Sequence, residues 1–289
     1  MIATVLRITA NGLEHSIRQW LPPERQKGTV VLIHGYMDAG GTWDRVAPAL
    51  AAAGHRVLAP DMRGFGAGAR APAGSYYHFV DYVFDVADLV EALVPGGESV
   101  GVVGHSMGGT ISTLYAGTFP ERVSRLALLE GLGPPDNPFE LGPIRMRSWI
   151  EQVRAARARS RAAPTFSRAE GLARLAGNHP NVPPEVLEHR LPHLAAEGDD
   201  GRLSWHFDPL HKTTSPMPFF VKLFIEFARK VTCPVLFVSG GPRGFHPSDE
   251  GERLAAFAEL RCDELPQAGH MMHWTEPEKL APKLVAFLA

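Results

Sequence analysis

Short runs of consecutive apolar residues punctuate this chain, and between them apolar positions recur at helical spacing. The apolar runs are Thr29–Ile33, Arg56–Ala59, Ser99–Val103, Arg125–Leu129 and Pro234–Ser239. Each is almost wholly apolar, the pattern of a strand covered on both faces. Helical spacing appears in Trp43–Ala53, His78–Val94, Met107–Thr118 and Thr275–Leu288. Alternation of the two predicts an α/β protein whose mostly parallel sheet carries helices on both faces. Met1–Trp20 reads as alternating strand, with Arg7, Glu14 and Arg18 scattered through it.

The rhythm breaks after Glu130. From Gly131 to about Lys230 there are many prolines, several arginines and no convincing strand. The segment is too long for a loop, so the pattern predicts a helical insertion. The expected organisation is a core of residues 1–133 and 231–289 with an inserted segment, 134–230.

A chain of 289 residues that is 45% hydrophobic and 21% charged has a usable core without disulfides or metals. Its net charge of −2 gives no global pull toward nucleic acid or an anionic membrane. No apolar run reaches about 18 residues, and the N-terminal stretch lacks a signal-like apolar core. A cytoplasmic address is the default expectation. The two cysteines, Cys233 and Cys262, have no metal-knuckle spacing and are expected to be buried free thiols.

Chemistry concentrates first at Val100–Gly109, which reads Val-Gly-Val-Val-Gly-His-Ser-Met-Gly-Gly. Here Gly-x-Ser-x-Gly ends a buried strand and opens a helix. A serine hydroxyl becomes a useful nucleophile when a base takes its proton and a tight turn exposes its oxygen. The helix N-terminus also aims free N–H groups at developing negative charge. Ser106 is therefore the expected nucleophile; a serine that merely caps the helix is the plainer alternative.

Thr29–Ile33 runs into His34-Gly35-Tyr36-Met37-Asp38. A His-Gly pair at such a strand end suits one wall of an oxyanion hole, with the amides of Tyr36 and Met107 as donors. His34 then shapes the loop. Near the C-terminus Gly269-His270 follows the last predicted strand, which makes His270 the expected base and His273 its rival.

The acid that should orient the base is less plain. Arg125–Glu130 is an apolar run ending in a carboxylate, and a carboxylate at a buried strand tip needs a partner. Glu130 is the expected acid, with Asp249 as the alternative.

Taken together, His34-Gly35, Asp61-Met62-Arg63-Gly64-Phe65-Gly66, the Ser106 turn and Gly269-His270 resemble the α/β-hydrolase superfamily over essentially the whole chain. Finer strings are similar to its serine hydrolase-like subgroup, related to epoxide hydrolases and haloalkane dehalogenases. These are His34–Asp38, Tyr77-His78-Phe79 with Asp81-Tyr82-Val83, Glu130–Pro135 and Trp205–Pro209.

The resemblance implies an eight-stranded, mostly parallel sheet under an inserted helical cap, and no cofactor or metal. Epoxide hydrolases and dehalogenases carry aspartate where this chain has Ser106, so acyl transfer is implied rather than their reactions. The usual acid position, after Pro234–Ser239, holds Arg243. Some dehalogenases place the acid after the sixth strand, which supports Glu130 by analogy. Asp61 and Arg63 are expected to brace the loop after the fourth strand.

Trp149, Phe166, Trp205, Phe207, Phe219 and Phe220 are candidates to line the pocket or to form the cap's own core. Arg145, Arg147, Arg154, Arg157, Arg159, Arg161 and Arg168 make the insertion basic. A solvated face explains them; attraction of anionic substrates is the sharper reading. The leading expectation is a carboxylic-ester hydrolase acting on a small-molecule ester or acyl substrate, as a monomer or small homo-oligomer without nucleic-acid or membrane partners. The alternatives are a C–C bond hydrolase of a diketone-like ring-cleavage product and a non-catalytic ligand receptor on the same fold.

Overall fold

The computed structural model describes residues 2–158 and 164–289. The chain opens with β1 (Thr4–Ala10), β2 (Leu13–Trp20), β3 (Gly28–Ile33), α1 (Ala47–Ala52), β4 (His55–Pro60) and α2 (Phe79–Leu93). β5 (Val100–His105), α3 (Met107–Thr118) and β6 (Val123–Leu129) follow. Next come α4 (Leu141–Ala158), α5 (Arg168–Asn178), α6 (Pro184–Leu194), β7 (Ala195–Glu197), β8 (Leu203–Trp205) and α7 (Val221–Ala228). The chain closes with β9 (Val235–Ser239), α8 (Glu250–Leu254), β10 (Leu260–Glu264), α9 (Met272–Thr275) and α10 (Pro277–Leu288).

Eight strands form one sheet in the order β1-β2-β4-β3-β5-β6-β9-β10. β2 runs antiparallel to both neighbours, and the other pairings are parallel. The central strands are apolar because both of their faces are covered. Val31, Ile33, Val102 and Leu128 join one buried cluster with Val86, Ile111 and Tyr115 from α2 and α3. Leu32, Val103, Ala127 and Leu129 join the other with Leu50, Leu280 and Leu284 from α1 and α10. Burying each such side chain contributes about 1.5–3 kcal/mol.

The alternating stretch predicted at the N-terminus is a hairpin, Thr4–Trp20, rather than a single strand. Asn11 and Gly12 form its two-residue loop with φ of +47° and +68°, the positive pair that a tight hairpin turn requires. The predicted helix at Trp43–Ala53 is shorter, because Gly40–Trp43 is a separate 3-10 turn. The last helix divides at Glu276, where Pro277 starts α10.

The segment between β6 and β9 holds α4 to α7, and it is not strand-free. β7 and β8 pair antiparallel around Gly198–Gly201, and Phe166 bridges to Leu203 beside them. Three-residue strands carry too little alternation to stand out in a sequence. Phe166, Leu175, Leu187 and Leu191 of this segment pack with Met271 and Trp274 of the core.

Cys233 is buried as expected, whereas Cys262 is exposed. It lies on β10, the edge strand of the sheet. Asp61 accepts N–H bonds from Gly40 (2.8 Å) and Ala67 (3.1 Å). Arg63 donates to the buried Asp85 at 2.6 Å. Both residues therefore tie the loop after β4 to its surroundings. No helix among the described residues is long and apolar enough to cross a membrane.

Candidate active site

β5 delivers Ser106 to a turn with φ +52° and ψ −117°, and α3 starts at the next residue. The turn is possible because the chain packs so closely behind it. A Cβ on Gly108 would lie 2.2 Å from the carbonyl oxygen of Ile33, so only glycine fits.

His270 lies on the loop between β10 and α9. Its Nε2 is 3.0 Å from Ser106 Oγ, and its Nδ1 is 3.3 Å from Glu130 Oε2. A carboxylate can only accept, so Nδ1 carries the proton and Nε2 offers a lone pair to the serine hydroxyl. Glu130 stands at the tip of β6 with φ +52° and is buried. Its carboxylate also accepts the amide N–H groups of Gly240 and Phe245. Burial pushes its pKa up, but the bonds from His270 and the two amides outweigh this and hold it below the ordinary carboxylate value. Gly244 makes room for the arrangement, since a Cβ there would sit 2.1 Å from Glu130 Oε1.

The structure sends the two rivals elsewhere. Asp249 pairs with Arg253 at 2.8 Å, and His273 Nε2 donates to Asp38 at 3.0 Å. Arg243, at the usual acid position, donates to the carbonyl of Gln267.

Tyr36 and Met107 line the cleft into which Ser106, Glu130 and His270 open. His34 is buried beneath Tyr36: its Nδ1–H donates to the Gly35 carbonyl (2.8 Å) and its Nε2 accepts the Met62 N–H (3.0 Å). Both ring nitrogens are committed to the backbone, which is a loop-shaping role.

Residues 28–277 match the model of the alpha/beta hydrolase fold family. The chain belongs to the alpha/beta hydrolase fold family. Among curated proteins, a serine hydrolase-like protein of Dictyostelium discoideum is 33% identical over 122 residues, 42% of this chain and 33% of that one. The 2-hydroxy-6-oxo-2,4-heptadienoate hydrolase of Pseudomonas putida is 40% identical over 107 residues, 36% of this chain and 37% of that one. The chain thus spans about a third of the length of these curated relatives. A solved structure of a hypothetical protein from Pseudomonas aeruginosa PAO1 superimposes with a TM-score of 0.84 at 26% identity, covering 98% of each chain.

The cleft of this alpha/beta hydrolase has a volume of about 580 Å³. Its described lining includes none of the six aromatic residues of the insertion that the sequence left open between pocket lining and cap core. The aromatic lining comes from Tyr36, Tyr76, Tyr77, Phe79, Tyr82 and Phe245. Phe166 is instead wholly buried in the cluster that the insertion shares with Met271 and Trp274, and Trp149 packs edge-on against Tyr76. The described lining residues include no lysine or arginine. Arg154 and Arg157 are exposed on α4, and Arg157 donates to the Ser75 carbonyl. Arg159 and Arg161 lie outside the described residues.

Sequence reasoning missed a second layer behind His270. His105 Nε2–H donates to the backbone carbonyl of His270 at 2.8 Å. Its ring lies 4.4 Å, centre to centre, from that of His273, which in turn holds Asp38. Burial keeps His105 and His273 below the ordinary histidine pKa, so both are neutral. The turn at Ser106, the loop after β3 and the loop that carries His270 are thus joined by buried imidazoles.

Proposed function

We propose that this chain is a serine hydrolase that cleaves a neutral carboxylic ester, or a related acyl substrate, through an acyl-enzyme. One observation carries the reading: the unbroken run of contacts from Ser106 Oγ through His270 to Glu130, at 3.0 and 3.3 Å.

In this mechanism His270 Nε2 takes the serine proton as Oγ attacks the acyl carbon. The carbonyl oxygen becomes an oxyanion, held by the amides of Tyr36 and Met107. Each such donor lowers the barrier by about 3 kcal/mol. His270, now an imidazolium stabilised by Glu130, returns the proton to the leaving alkoxide as the acyl–oxygen bond breaks. Water then repeats the sequence, with His270 as its base, and releases the acid. The described residues of 134–230 serve as a largely helical cap beside the cleft, to whose lining they give Pro134, His211, Thr213 and Ser215. The tyrosine-rich lining favours an uncharged acyl group with aromatic or hydroxyl character.

A C–C bond hydrolase is the second reading, favoured by the likeness to the Pseudomonas putida relative. That relative's name describes a dienoate, which carries a carboxylate. A cleft without lysine or arginine among its described lining residues gives such a group no counter-charge, and an unpaired charge is costly to desolvate. Neutral esters are therefore the better fit.

A fluorophosphonate probe should label the purified chain, and Ser106→Ala should abolish the labelling. Equal labelling of the variant would remove Ser106 as nucleophile, and no labelling of the wild type would favour a ligand receptor. Turnover of an aryl-ester panel against vinylogous diketones separates the two enzyme readings.

A further inference from the structure

Away from the cleft, three groups of metal-ligand type meet where the inserted segment touches the core. Asp44 follows the Gly40–Trp43 turn, while His189 and His193 stand on one face of α6 by i,i+4 spacing. Both imidazoles aim Nε2 at the same carboxylate oxygen. His189 Nε2 is 2.7 Å and His193 Nε2 3.2 Å from Asp44 Oδ2. All three ligand atoms lie within 4.8 Å of one another.

We propose that Asp44, His189 and His193 bind a transition-metal dication, Zn²⁺ or a neighbouring late first-row ion, which pins α6 to the core.

The geometry is close to what such an ion needs. Tetrahedral Zn²⁺ with bonds of about 2.0–2.1 Å separates its ligand atoms by about 3.3 Å. The His193–Asp44 spacing already meets that value; His189 Nε2 would move out from 2.7 Å to the same distance, and the two imidazole nitrogens, within 4.8 Å of each other, would take up that spacing too. Two imidazoles and one carboxylate select zinc, copper, nickel or cobalt over calcium and magnesium. His189 is 39% and Asp44 26% exposed, so an ion has a way in and water can complete its shell.

Asp44 is also held ready. Arg190, wholly buried, donates to Asp44 Oδ1 at 2.6 Å and to the Thr42 carbonyl at 2.9 Å. That orients the carboxylate and leaves Oδ2 for the metal, as outer-shell partners of metal ligands commonly do. The nearby guanidinium opposes a second cation, so the affinity expected is low-micromolar rather than that of a permanent structural zinc.

None of the three residues lines the cleft of Ser106, so the proposal stands independently of the catalytic reading. Its test uses the tag-free chain after chelator treatment. Calorimetric titration with Zn²⁺ should give one equivalent at low-micromolar Kd. Co²⁺ should develop the visible absorption of a tetrahedral complex, and saturating Zn²⁺ should raise Tm by several degrees.

The variant His189→Gln/His193→Gln should lose the Tm rise and bind at least about 100-fold more weakly. Mg²⁺ should do nothing to either protein. Should the double variant fold poorly, His189→Gln alone, on the most exposed of the three, should weaken binding about 10-fold. Wild type that binds no Zn²⁺ below millimolar concentration overturns the proposal. Variants that match the wild type in Kd and Tm rise overturn it equally.

Discussion

Asn11, Met37, Ser106 and Glu130 are the non-glycine residues with left-handed φ among those described. Asn11 belongs to a hairpin turn, where that conformation is ordinary. Ser106 and Glu130 belong to the proposed reaction centre, and Met37 follows the cleft-lining Tyr36. Each costs on the order of 1–3 kcal/mol unless its surroundings compensate. At Ser106 the twist lifts Oγ clear of the turn. At Glu130 it turns the carboxylate out of the strand direction toward His270 and two loop amides. Glu130→Gln would present an NH₂ group to donors on one side. We expect kcat to fall by about 10³–10⁴-fold with little change in KM, and Asp249→Asn to stay within a few-fold of wild type. The reverse pattern in steady-state kinetics would move the acid to the loop after β9. Ser106 and His270 could be picked out from the sequence because adjacent letters specify their turns. Glu130 stood out because a carboxylate ended an apolar run. His105 could not be assigned, since its partner is a backbone carbonyl 165 residues away.

At the scale of elements, the buried strands were legible because an apolar run bounded by turn residues has few other uses. The β7–β8 ribbon was not, being short, half-exposed and set among prolines. The division of the last helix was also hidden, and it has a purpose. It places His273 on α9, pointing away from Ser106 and toward Asp38, a pairing that spans 235 residues of sequence. The pair ties the loop after β3 to the loop that carries His270, and we predict a positioning role for His273. His273→Ala strands a buried carboxylate and should cost about 2–3 kcal/mol in chemical denaturation. Its kcat should fall far less than that of Glu130→Gln, with the shape of the pH–rate profile unchanged. His273→Gln keeps an N–H donor near the Nε2 position and should recover most of both losses. Equal damage from Ala and Gln would show that ring packing, not the bond to Asp38, is what matters.

For the molecule as a whole, the buried imidazoles set how stability responds to acid. Burial is the leading cause that lowers the pKa of His15, His105, His179, His206 and His273 below the ordinary 6.5, and of His211 to about 4. Unfolding restores the ordinary value. Between the two values the unfolded chain binds protons that the folded chain refuses, so stability rises with pH there and is lost as pH falls. Each refused proton contributes up to about 1.4 kcal/mol per pH unit. Asp38 and Glu130 add to the loss lower down. Their folded pKa values lie below 3.8 and 4.5, so their share is present above those values and lost beneath them. His246 opposes the trend: its pKa is raised by bonds to Gly241 and Glu250, so its share is present below 6.5 and fades above. One exposed residue does not offset six buried or half-buried ones. Thermal melts should therefore show Tm nearly flat above about pH 7 and falling continuously below about pH 6.5, well before ordinary carboxylates titrate. His211→Asn, which removes the group pushed to about 4, should make that acid limb shallower. A Tm that stays constant from about pH 6.5 down to the carboxylate range would mean that these rings take up protons inside the folded protein, and the neutral imidazole layer behind His270 would have to be abandoned with it.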